Sequence, residues 1–145
     1  MSVKLIIKHV IIFAFVLLWI YAASSKLIDF NRFRGQMQLQ ILPVFFKDSL
    51  VYILPPLEVI AALLLLFDLT QLIGITLSLA LILAFTIYIG LVVFRFFDHI
   101  PCSCGGILSN MGWDAHFIFN LIFSLLAALG FYIIYGERRE KAKIG

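Results

Sequence analysis

Four stretches of this chain are predominantly apolar over about the length needed to cross a lipid bilayer, and this limits the fold more than any other feature. A helix rises about 1.5 Å per residue, so a hydrocarbon core of about 30 Å takes roughly twenty apolar residues. The runs lie near residues 5–23, 54–70, 72–97 and 115–135. They are continuous rather than alternating, which argues against a membrane β-barrel. Hydrophobic residues make up 63% of the chain and charged residues 13%. A soluble domain has roughly 45–50% apolar residues and about 25% charged ones. This composition excludes a disordered chain, a coiled coil and a nucleic-acid-binding module, and it leaves too little interior to hide the apolar side chains in water. The expected fold is an all-α integral membrane protein: one membrane domain, residues 1–145, built as a four-transmembrane-helix bundle in contact with lipid.

The punctuation between the runs sharpens this. The first run has Lys4 just before it, Lys8 and His9 near its start and Tyr21-Ala22-Ala23-Ser24 at its end, features shared with signal peptides. We read it as a helix that is retained. Pro55-Pro56 followed by Glu58 resembles a helix start, with proline in the first turn and an acid at the positive end. The second span is therefore expected to begin near Leu54, with residues 45–53 as a separate short piece. Between the first two spans, Phe30, Phe33, Met37 and Ile41 recur at three- and four-residue spacing among Asp29, Arg32 and Arg34. This predicts a short interfacial helix. The alternation over 37–41 also fits a strand. Asp68-Leu69-Thr70-Gln71 reads as a tight turn, and residues 136–145 form a polar tail rich in Glu, Arg and Lys.

Four spans put both termini on one side. That side carries Lys4, Lys8, Arg138, Arg139, Lys141 and Lys143, against Lys26, Arg32, Arg34, Lys47 and Arg95 on the other. The dense cluster in the tail favours cytoplasmic termini. The loop after the third span then faces outward, into an oxidising compartment if the membrane is a bacterial cytoplasmic one.

Three groups of residues carry chemical potential. The first is Pro101-Cys102-Ser103-Cys104-Gly105-Gly106, which holds both cysteines of the chain. Thiols two positions apart can close a small, strained and easily reduced disulfide. His99, three residues earlier, could lower a thiol pKa as an imidazolium. The alternatives are a static loop staple or a soft-metal site for Cu(I)-like ions. Two thiolates alone make a poor structural metal site, so no metal ligands are assigned. The second is Glu58, an acid inside a membrane segment, which costs on the order of 3 kcal/mol unless paired or wetted. Lys26, at the exit of the first span, is its candidate partner; stabilising the helix start is the alternative role. The third is Trp113, His116, Asn120 and Ser124, at spacings that place them on one helix face. Such a stripe could line a pocket for a quinone headgroup or a substrate thiol, or simply join helices by hydrogen bonds. Gly74/Ser78 and Ala80/Ala84 have small-xxx-small packing spacing. Arg95 and Asp98 are candidates to pair or to snorkel.

In order along the chain, these residues resemble the MauE/DoxX family of bacterial four-helix membrane proteins, in its methylamine-utilisation MauE-like branch. Tyr21-Ala22-Ala23-Ser24-Ser25-Lys26-Leu27 with Phe30 and Phe33 resembles the exit of the first helix, with Ser25 where glycine is common. Leu54-Pro55 through Glu58 resembles the opening of the second. Cys102-x-Cys104-Gly105 resembles the family's cysteine motif, with Gly105 where phenylalanine is commoner. Trp113, His116 and Asn120 resemble the start of the fourth helix. The resemblance implies a multi-pass protein of the bacterial inner membrane, linked to periplasmic disulfide chemistry or to maturation of a disulfide-bearing partner. Similarity to DoxX-type proteins implies quinone-linked redox subunits.

Three functional readings follow. In the first, the chain is a thiol–disulfide oxidoreductase: Cys102 and Cys104 exchange with a thioredoxin-like or substrate cysteine, and a quinone near Glu58, His116 and Asn120 takes the electrons. In the second, it is an accessory or assembly subunit of a larger membrane or envelope complex. In the third, it handles a soft metal through Cys102, Cys104 and His99.

Overall fold

A computed structural model describes residues 2–98 and 112–145. Among these residues there are five helices and no strands: α1 (Val3–Ile28), α2 (Phe30–Gln38), α3 (Val44–Leu66), α4 (Gln71–Val93) and α5 (Trp113–Ile144). All but α2 are long and apolar enough to cross a membrane. The protein is therefore a multi-pass membrane protein with an all-helical fold.

The four long helices share one core. Ile11, Phe15 and Trp19 of α1 meet Ala61, Ala62 and Leu65 of α3, Ile75 and Ile82 of α4, and Ala127 and Ile134 of α5. In lipid there is little hydrophobic gain in bringing helices together, so close packing and hydrogen bonds must supply the attraction. Both are present. A Cβ added at Gly74 would lie 2.9 Å from the Leu64 carbonyl carbon and from the Leu65 nitrogen, so the backbones of α3 and α4 touch here. Ser78, one turn later, accepts a 2.8 Å hydrogen bond from the Trp19 indole N–H. The expected Gly74/Ser78 packing pair therefore does pack. Ala80 and Ala84 do not, because both lie on the exposed side of α4. The same spacing occurs twice, and helix rotation sets which copy faces a neighbour.

Two other expectations are corrected. Residues 45–53 are not a separate piece: α3 runs unbroken from Val44, with Pro55 and Pro56 inside it. Those prolines remove the N–H donors that the Val51 and Tyr52 carbonyls would otherwise take. The half-helix before them is held by packing, since Val51 and Leu54 bury against Phe33 and Met37 of α2. The last helix does not stop near residue 135 but continues to Ile144. Its polar end consists largely of good helix formers and is tied down at two points. Glu137 pairs with Lys8 at 2.9 Å, and the Arg138 guanidinium donates to the carbonyls of Asp68 and Leu69 in the α3–α4 turn.

The short helix appears where the spacing of Phe30, Phe33 and Met37 predicts it. Asp29 separates it from α1: its carboxylate accepts a hydrogen bond from the Arg32 N–H as the N-cap of α2. Phe33 and Met37 turn inward while Arg32 and Arg34 stay exposed. The strand alternative over 37–41 is not adopted. Thr70 closes the α3–α4 turn, its hydroxyl donating to the carbonyls of Leu64 and Phe67. α4 ends with Arg95 in the left-handed region at φ 55°, and the Arg95 and Phe96 N–H groups bond back to Val92 and Leu91. Arg95 and Asp98 are both exposed, and no ion pair joins them.

Candidate functional site

Because successive spans run antiparallel, the exit of α1, the entry of α3, the end of α4 and the start of α5 share one end of the bundle. A cavity of about 400 Å³ opens among them, and α2 contributes Phe33 and Met37 to its wall. The Lys26–Glu58 pair and the stripe residues Trp113, His116 and Asn120, two groups singled out in the sequence for separate reasons, all line it.

The centre of the site is an ion pair. The Lys26 Nζ lies 2.8 Å from Glu58 Oε1, with the two side chains 11% and 1% exposed. Nζ also donates to the Ala22 carbonyl at 3.2 Å and sits 5.8 Å from the centre of the Phe33 ring. Ser25, beside it, donates to the same Ala22 carbonyl. The other Glu58 oxygen, Oε2, is buried and has no hydrogen-bond partner among the described residues. A buried acceptor left without a donor is costly in a low-dielectric interior.

The first turns of α5 form the facing wall. The Trp113 and His116 rings stack, with centroids 6.5 Å apart and planes 25° from parallel. Asn120 donates to the His116 carbonyl at 2.9 Å. Ser124 donates to the Asn120 carbonyl and lies 3.0 Å from the Thr86 hydroxyl of α4. The stripe therefore divides. Its deeper half, Ser124 with Thr86, joins α5 to α4, while Trp113, His116 and Asn120 face the cavity.

Other lining residues carried no clear signal in the sequence. Tyr88 of α4 donates to Gln40 Oε1 at 2.7 Å and accepts from the Ile41 N–H, tying the α2–α3 connection to the bundle. Trp19, Phe85 and Phe119 add aromatic wall. Gln40 offered one hint, as an amide in an apolar surrounding. The aromatic residues blend into a chain with 15 phenylalanines.

His99, Cys102 and Cys104 lie outside the described residues. They belong to the connection from α4 to α5, and both helices border the cavity, through Tyr88 and Ile89 on one and Trp113 and His116 on the other. Among the described residues no three His, Cys, Asp or Glu side chains gather closely enough to hold a metal ion.

The model of one protein family, described as "Methylamine utilisation protein MauE", matches residues 4–133. No curated protein and no solved structure matches the chain.

Proposed function

The chain belongs to the MauE family of methylamine utilisation proteins, and from that premise we propose that it is a membrane-embedded thiol–disulfide protein that matures a disulfide-bearing partner outside the cytoplasm. One observation carries the reading. The chain's only two cysteines, Cys102 and Cys104, sit in the connection between α4 and α5, and both of those helices border the cavity.

In the exchange, a thiolate attacks one sulfur of a disulfide and forms a mixed disulfide, and the displaced sulfur leaves as a thiolate. A second thiolate then resolves the mixed species, so the dithiol and the disulfide trade places between the two proteins. His99 as an imidazolium would favour the attacking thiolate. Lys26 and Glu58 act from within the bundle, where they keep one part of the cavity polar. The bacterial inner membrane, with termini in the cytoplasm and the cysteine loop in the periplasm, suits this chemistry.

The test is Cys102→Ser and Cys104→Ser, singly and together, analysed on non-reducing gels of membranes. One single variant should accumulate a reductant-sensitive adduct with a partner protein, and the double variant should stop partner maturation. Normal maturation with both cysteines removed would overturn the reading in favour of the accessory-subunit role.

A further inference from the structure

The cavity is not sealed. Tyr21 of α1 and Ala84, in the middle third of α4, both line it and are both exposed on the outside of the bundle. In a membrane that outside surface is covered by acyl chains, so a ligand can enter sideways from the hydrocarbon. The wall is mostly apolar, and its charged groups are the Lys26–Glu58 pair.

That pair sets the chemistry of a ligand. Lys26 has three donors, of which two serve Glu58 Oε1 and Ala22. Glu58 Oε2 is a buried acceptor with no donor among the described residues. The site therefore presents one donor-bearing group and one unmet acceptor side by side. Glu58 already neutralises the Lys26 charge, so an anionic headgroup such as a phosphate or a fatty-acid carboxylate would meet an uncompensated carboxylate. A neutral headgroup fits. The stacked Trp113 and His116 rings and the Phe33 ring favour a flat one.

We propose that the cavity binds a lipid-soluble quinone, one oxygen taking a hydrogen bond from Lys26 and, in the reduced form, a hydroxyl giving one to Glu58 Oε2. The ring lies by Trp113 and His116, and the tail follows the apolar wall toward the lipid. The inference rests on the thiol–disulfide reading only for the redox role of the ligand. There, a dithiol and a quinone become a disulfide and a quinol, with two electrons and both thiol protons passing to the quinone oxygens. Binding itself needs no cysteine.

Both tryptophans of the chain, Trp19 and Trp113, line the cavity, so their fluorescence reports occupancy. Decylubiquinone titrated into the purified full chain in lipid nanodiscs should quench it saturably. Ala84→Phe narrows the opening from an exposed position and should weaken the saturable phase at least tenfold while leaving the thermal melt unchanged. Lys26→Met and Glu58→Gln should weaken it similarly. A Trp placed on the lipid face by Phe13→Trp, with Trp19 and Trp113 replaced by Phe, should show only the linear quenching of a quinone dissolved in the bilayer. Linear quenching in the native chain, saturable binding insensitive to Ala84→Phe, or displacement by equimolar oleate would overturn the proposal. The Cys102→Ser/Cys104→Ser double variant should bind like the native chain. Binding without thiol exchange would then sink only the thiol reading. A trapped mixed disulfide without binding would sink only this one.

Discussion

Glu58 and Lys26 are each expensive to bury, and each makes the other tolerable. An ionised side chain in hydrocarbon costs several kcal/mol, and the short contact to Lys26 offsets part of that cost. Removing one partner leaves the other buried and charged. Glu58→Leu or Lys26→Met alone should therefore destabilise the protein by about 3–5 kcal/mol, while the double replacement should cost far less than the sum. Unfolding in mixed micelles across this cycle measures the coupling. Equal and additive losses would show that the pair contributes nothing as a pair. Both residues stood out in the sequence because so few charges lie within the spans. Their places in the spans also make Lys26 the candidate partner of Glu58, and the 2.8 Å contact joins them across two helices and 32 positions.

At the scale of helices, close approach is decided at single small residues. Gly74 faces backbone on α3 at a distance no Cβ tolerates, and backbone cannot move aside as a flexible side chain can. Gly74→Ala should push α4 off α3 and cost about 1–3 kcal/mol, the range for overpacking. Ala80→Leu lies on the exposed side of the same helix and should change stability by less than about 0.5 kcal/mol. Thermal melts of the two variants check the contrast, and a large loss for Ala80→Leu would mean that face is covered. The prolines of α3 carry a similar lesson. Pro55-Pro56 has the local chemistry of a helix start, yet the helix continues before it because α2 supplies Phe33 and Met37 as packing partners. Local propensity yields to tertiary contact where the contact buries enough surface.

Across the whole molecule, the two ends of the bundle differ in kind. One end is closed by the Lys8–Glu137 pair and by Arg138 on the α3–α4 turn. It carries both termini. The other end holds the cavity and the flanks of the cysteine loop. Under the proposed topology the closed end is cytoplasmic. Ile144→Cys, in a chain with Cys102 and Cys104 replaced by serine, should then react with a membrane-impermeant maleimide only after the cells are permeabilised. Labelling in intact cells would invert the topology and place the cavity end in the cytoplasm.

Read alone, the sequence settles the class of solvent, the approximate spans and the short list of polar residues available for chemistry. Hydrophobic run length and residue spacing are local quantities, and local quantities are enough for those. Tertiary structure decides the rest. Packing rotates each helix, and rotation turns Gly74 inward and Ala80 outward. Antiparallel succession brings α1, α3, α4 and α5 together at one end, where Lys26, Glu58, His116 and Asn120 come to border a single cavity. No spacing along the chain encodes that meeting, because it depends on how the helices lie against one another, which packing over the whole bundle selects.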